Sequence, residues 1–407
     1  MRIKLAYAGS TIELNIPDNI SVDQYAPAVA ENPVDAETFR RGFIGAGGER
    51  FLKSEKPLFV INDGHRNTPT PVMLSLLKQI QPEIIDRADY IIAAGTHGQP
   101  TEAHYRKIFG DYYDRLKARS EFHDCHDYTR MRKIGTDWFD KDVYVNQKVF
   151  EYDDIAIFSS VEPHYFAGFT GGRKSILPGL ADFATVERNH NQANSLDAAP
   201  LKVDGNPVAE HMAAVLDMLG PEKFFGIQGV IDAHKNLAGI FFGDLKSVFD
   251  EAMVFSRQMY ANEVKERYDV VIGEILPPLD ASLYQLQKAL ENCQPAVCDG
   301  GTIILLSDCH SGVGSDHFFE LACGWDSEKN IAKDGQLHFG SHKLSRVNAI
   351  GKRIDVRVRS TLPAETIERV FYKAMEDVQG FLDKLNHKEC RLAVVRDAAH
   401  TVLTTQT

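Results

Sequence analysis

Short apolar runs that stop abruptly at polar or small residues recur along the chain. PLFVIND (57–63) is followed by GHRNTPTP and then by VMLSLLKQI, whose spacing is helical. DYIIAAGTH (89–97) leads into GQPTEAHYRKIFG, a second helical pattern, and DIAIFSSVEPH (154–164) leads into a glycine-rich stretch. YDVVIGEI (268–275), TIILLSDCHSG (302–312) and RLAVV (391–395) repeat the form. Near-continuous Val/Ile/Leu runs suit strands buried on both faces, and their alternation with helices predicts an α/β fold with mainly parallel sheets. Such folds bind ligands at the carboxyl ends of their strands. Asp63, His97 and His164 each stand at a predicted strand end.

The stretch GEILPPLDASLYQLQKALENC opens a new strand–helix–strand pattern, so a boundary is expected within 265–275. This gives an N-terminal catalytic and cofactor-binding domain, 1–268, and a C-terminal substrate-closing domain, 269–407, with a cleft between them. The last residues are allowed to pack back on the first domain. A length of 407 residues fits two domains.

Composition narrows the function classes. The chain is 43% hydrophobic and 25% charged, as in ordinary globular proteins. Its net charge of −12 argues against nucleic acid and against an anionic membrane surface, while leaving room for a local small-anion pocket. The opening MRIKLAYAGSTIELNIP alternates like a strand and carries no apolar signal region, and no run approaches a membrane span. Six scattered cysteines without a CxxC pair read as reduced thiols. A cytoplasmic protein is expected.

The chemistry concentrates in EPHYFAGFTGGRKSILPG (162–179). A P-loop needs glycine directly before its lysine, and Arg173 separates Gly172 from Lys174. Gly171 and Gly172 retain the capacity to offer backbone N–H groups to an anion. His97, His164 and His190 suit proton transfer or a transition metal, although no HExxH helix is present. HDCHD (123–127) reads as a polar loop rather than a metal cluster, and His310 fits a local turn as well as the cleft. In YQLQKAL (284–290), Gln285 and Lys288 share one helical face, which is either solvated or turned to an anionic substrate.

Together these motifs resemble the nickel-dependent lactate racemase family, in the same order through most of the chain. DGHRNTPTP resembles the family's Asp-x-Thr-Arg-Pro-Thr-Pro, and GTHGQPTEAHYRKIFG its Gly-x-His segment. EPHYFAGFTGGRKSILPGL with ERNHN resembles its long His…Gly-Gly…Lys…Ile-Leu-Pro-Gly…Asn-His signature, and YQLQKA its Tyr-Gln-x-x-Lys. The resemblance implies a nickel-pincer nucleotide joined to Lys174 through a thioamide, with Gly171, Gly172 and Arg173 beside it and His190 as nickel ligand. It implies His97 and His164 as acid/base residues, Asp63 near them, and Arg66, Tyr284, Gln285 and Lys288 holding a substrate carboxylate. The implied reaction inverts C2 of a 2-hydroxy acid by hydride transfer to and from the cofactor. Cofactor-biosynthesis proteins are the implied partners, and a homo-oligomer is left open.

The sequence departs from that pattern where Thr-Arg-Pro becomes His65-Arg66-Asn67 and where Arg173 replaces a small residue. Trp325 is the one candidate for a second-domain tryptophan. These changes favour a larger or more polar 2-hydroxy acid than lactate, such as a sugar acid. The rival readings are a kinase-like enzyme using the Gly171–Lys174 loop and a non-catalytic anion-binding protein.

Overall fold

The computed structural model describes residues 1–385 and 389–405. Two six-stranded sheets organise it. The first runs Leu237–Asp244, Phe224–Ile231, Ile155–Ser160, Leu58–Asn62, Asp89–Ala93, Ser120–Phe122, and only its outermost strand, Leu237–Asp244, is antiparallel. The second runs Lys373–Ala374, Asp355–Arg359, Val297–Leu306, Tyr268–Glu274, Cys390–Val395, Ile20–Tyr25 and is parallel throughout.

The apolar runs explain the layers. Side chains alternate across a strand, so Phe59, Ile61, Tyr90, Ile92 and Phe158 enter one core while Leu58, Val60, Ile91, Ile155 and Ile157 enter the core on the opposite face. The second sheet divides likewise: Val271, Ile303, Leu305 and Val395 face one core, and Val270, Ile272, Ile304 and Val394 the other. Truncating a fully buried aromatic such as Phe158 to alanine would cost about 3–5 kcal/mol.

The start of the chain belongs with the second sheet. The antiparallel hairpin Arg2–Tyr7 and Ser10–Asn15 turns Ile3, Leu5 and Leu14 onto the core that contains Val270 and Ile272, and Ile20–Tyr25 then pairs with Cys390–Val395. The expected division at 268/269 places these residues with the first sheet. Their two-residue alternation is satisfied on the second, whose open face they cover. At the other end, Val402–Thr405 pairs in parallel with Ala261–Val264, and Val402 packs with Val161, Phe169 and Val230. The chain therefore crosses between the two sheets several times. Among the described residues no helix is long and apolar enough to cross a membrane.

Candidate active site

The carboxyl ends of the first sheet's strands face two helix starts of the second domain across a cavity of about 140 Å³. Asp63 directly follows Leu58–Asn62, His97 lies just beyond Asp89–Ala93, and His164 just beyond Ile155–Ser160. All three line the cavity. From the other side, Tyr284, Gln285 and Lys288 project from the start of the helix Leu283–Cys293, while Leu283, Leu286 and Leu290 on its far face enter the second domain's core. The i, i+3 and i, i+4 spacings put the three polar side chains on one face.

The two strand-end histidines are held differently. His97 Nδ1 is hydrogen-bonded to the buried Asp63 carboxylate. A carboxylate accepts, so in the neutral ring Nδ1 carries the proton and Nε2 keeps its lone pair. Burial works to raise the Asp63 carboxyl, but the His97 hydrogen bond and the His97, Arg66 and His65 charges outweigh it and hold it below the usual carboxylate range. His164 Nδ1 instead accepts from Ala167 N–H at 3.3 Å, which places the proton of a neutral ring on Nε2. Burial first, then Lys174, Arg66 and Lys288, push its pKa well below the ordinary value. One histidine thus presents an acceptor and the other a donor.

The glycine-rich stretch folds as a tight coil rather than an open phosphate cradle. Gly171 and Gly172 both have positive φ, and a Cβ on either would lie 2.6 Å from Val161 or Phe249. Gly171 lines the cavity, but Gly172 N–H donates to Gln228 Oε1 at 2.8 Å and faces away. Arg173 also turns away: its guanidinium stacks 4.3 Å over Phe249 and donates to Ala167 O at 3.2 Å. The next residue of this short 3-10 turn, Lys174, lines the cavity instead. Lys174 is buried, and burial together with Arg66, Arg173 and Lys288 holds its pKa well below that of a free amine.

His190 sits in the last turn of Phe183–Asn191, a helix whose N-cap Asp182 accepts from Thr185 N–H. Its Nδ1–H donates to Val186 O at 3.0 Å, which frees Nε2. Burial, then Lys174, lowers its pKa to about 3. Lys288 is lowered to about 8 by burial and by Arg66. Among the described residues, the Arg66 guanidinium, Lys174 and Lys288 Nζ, the Gln285 amide and the Tyr284 hydroxyl form no hydrogen bond with protein. The Arg66 guanidinium and Lys288, with the Lys174 and Lys343 amines beside them, meet one carboxylate here, so the cavity is complementary to an anion.

Three features were not legible in the sequence. His342 and Lys343, in the first turn of Ser341–Gly351, line the cavity, as does Phe339, whose ring lies 5.8 Å from His190. SHKLSRVNAI offers no signal that separates these from a solvated helix face. The His65 ring lies 4.4 Å from those of His97 and His104, tilted to the first and edge-on to the second. With Asp63 and His97 it forms a group whose potential ligand atoms lie within 4.8 Å of one another. Trp325 is buried in the second domain's core, away from the cavity. In HDCHD, His123 is fully buried and bonded to Ala181 O at 2.9 Å, while Asp124 and Asp127 accept from backbone N–H groups within the loop. His310 is exposed and sits 3.2 Å from Asp308.

Residues 7–199 match the lactate racemase N-terminal domain family and residues 265–339 the lactate racemase C-terminal domain family. The lactate racemase of Lactiplantibacillus plantarum is 25% identical over 336 residues, 80% of this chain and 76% of that protein. That of Thermoanaerobacterium thermosaccharolyticum is 25% identical over 355 residues, 82% and 79% of the two chains. In fold, the chain is similar to the lactate racemase apoprotein of T. thermosaccharolyticum, with a TM-score of 0.84 at 21% identity over 99% of this chain and all of that one. It is also similar to a Thermotoga maritima protein, with a TM-score of 0.72 at 16% identity over 93% of this chain and all of that one. With both domain families matched in order on one chain, the protein belongs to the lactate racemase family.

Proposed function

We propose that this protein is a 2-hydroxy-acid racemase or epimerase that works with a nickel-pincer nucleotide carried on Lys174. The observation that carries the proposal is Lys174 itself: a buried amine without a hydrogen-bond partner among the described residues, in the same cavity as two differently protonated histidines. An uncharged lysine amine is a nucleophile, as a covalent attachment to the cofactor requires.

The donor set also fits the metal. Among the described residues His190 belongs to no group of three metal-binding side chains. With His342 6.2 Å away, a bare ion would find at most two imidazoles there, which is too few, whereas a metal brought already chelated by an organic group needs one more ligand. His190 is prepared for that role, since its second ring nitrogen donates to a backbone carbonyl, the usual orientation device for metal-bound histidine. Gly172 N–H, spent on Gln228, counts against a triphosphate cradle.

When bound, the cofactor supplies hydride acceptance and return at C2. The chain does the rest. Arg66, Gln285 and Lys288 hold the carboxylate from both domains, so the planar oxo acid stays captured while it turns. His97, aligned by Asp63, accepts the hydroxyl proton at Nε2, and His164 presents its Nε2 proton to the substrate oxygen. His65 adds a polar group beside this centre, which favours a more polar acid than lactate, whereas Asn67 lies outside the cavity lining, 3.5 Å from His400.

The test is production of the protein together with cofactor-making enzymes. The expected result is nickel, a mass increase mapping to Lys174, and turnover of a 2-hydroxy acid from a broad panel. Protein that carries neither nickel nor adduct under those conditions contradicts the proposal, and turnover of lactate alone contradicts the polar-substrate part.

A further inference from the structure

His342 lines the cavity and takes no part in the roles assigned to its neighbours. It is 2% exposed, and among the described residues neither of its ring nitrogens has a hydrogen-bond partner. Leaving a buried polar group unpaired is costly, and both of these are left so beside a cavity. Phe166 stands edge-on to His342 at 5.3 Å and to His164 at 4.5 Å, so His342 is one ring away from the reacting centre.

The helix that carries His342 is fixed to the helix that holds the carboxylate-binding residues. Lys343 Nζ donates to Tyr284 O at 3.2 Å and lies 3.8 Å over the Tyr284 ring. One turn further on, Arg346 pairs with both Glu291 oxygens at 2.6 and 2.8 Å. His342, Tyr284, Gln285 and Lys288 are therefore carried on two helices bonded to each other. A ligand gripped by its carboxylate meets His342 in a set position.

We propose that His342 is a specificity-determining contact that reads hydroxyl groups on the substrate beyond C2, so that the substrate is a polyhydroxy acid. This rests on the 2-hydroxy-acid reading of the cavity. A neutral imidazole offers one donor and one acceptor. A hydroxyl both donates and accepts, so a polyol chain satisfies both nitrogens. The methyl of lactate satisfies neither. A second carboxylate only accepts and leaves the lone-pair nitrogen unpaired. Sites built to pair a substrate hydroxyl discriminate strongly against analogues that lack it.

The experiment is calorimetric titration of the apoprotein, made without cofactor enzymes, with D-gluconate, L-lactate and L-malate. Wild type is compared with His342→Phe and His342→Gln, each checked for folding by circular dichroism. Gluconate is expected to bind at least about tenfold more tightly than lactate. His342→Phe should remove that preference while changing lactate affinity less than about twofold, and His342→Gln, which keeps a donor and an acceptor, should restore most of it. In cofactor-loaded protein, His342→Phe should raise KM for gluconate more than it lowers kcat. Equal affinity for the three acids, including none for any of them, overturns the proposal. So does a malate preference that depends on His342, or an equal loss for gluconate and lactate. Because the titration needs neither nickel nor a Lys174 adduct, failure of the cofactor reading leaves its outcome intact and distinct.

Discussion

Asp63 and His97, at the ends of neighbouring strands Leu58–Asn62 and Asp89–Ala93, are joined by a hydrogen bond that fixes which His97 nitrogen can accept a proton. Asp63→Asn keeps the shape but can donate as well as accept, so His97 loses its preferred tautomer. We expect kcat to fall by about 10²-fold or more, with nickel content and the Lys174 adduct unchanged. Steady-state kinetics beside metal analysis check this, and an unaltered kcat would remove His97 from the acid/base role.

Lys174 should be more reactive than the surface lysines. Burial and the neighbouring Arg66, Arg173 and Lys288 lower its pKa, so its free-amine form predominates at a lower pH. In apoprotein treated with a small, limiting acylating reagent, the Lys174 peptide should label with a pH midpoint well below that of exposed lysines such as Lys352. Peptide mass spectrometry across pH 6–11 reads this directly. A midpoint shared with the exposed lysines would contradict the account.

Arg173 should behave as a packing residue. Its guanidinium is buried over Phe249 and bonded to Ala167 O, outside the cavity. Arg173→Met should cost about 1–3 kcal/mol of stability in denaturant titration while leaving the Lys174 adduct in place. Loss of the adduct in a folded variant would restore it to the cofactor's surroundings.

Acid should weaken the fold through buried histidines remote from the cavity. His211 is fully buried, accepts from the Gln192 and Asn189 side-chain amides at 3.2 and 3.4 Å, and is lowered to about 4 by burial. The unfolded chain, near the ordinary 6.5, takes up the proton first as pH falls. Stability therefore rises with pH between about 4 and 6.5 and is lost on acidification through that window. Going from pH 7 to 5 should cost on the order of 1–2 kcal/mol through this residue. His211→Gln should lose that much less over the same interval in urea titrations, and an identical slope in the two proteins would exclude His211 as a cause.

Much of the fold and the first domain's half of the site could be read from local pattern. Strands such as Leu58–Asn62 are buried on both faces, so their composition reveals them, and the residues that end them fall at the cleft by geometry alone. What escaped depends on distant contacts. His342 and Lys343 lie on a short amphipathic helix whose sequence fits solvent equally well, and contacts such as Lys343–Tyr284 and Arg346–Glu291 turn it toward the cavity. Arg173 follows two glycines of positive φ, and a turn of that kind hides which neighbour points inward. The hairpin Arg2–Tyr7 and Ser10–Asn15 was legible as strand, but its sheet lies at the far end of the chain.

That last pairing orders events during synthesis. Ile20 meets Cys390 and Tyr25 meets Val395, so the second sheet cannot close until almost the whole chain has left the ribosome. The first sheet, drawn from 58–244, has all its strands long before. A nascent chain arrested ahead of residue 390 would hold a formed first sheet and an unclaimed apolar hairpin at its N-terminus, a surface for chaperones to cover until the last strand arrives.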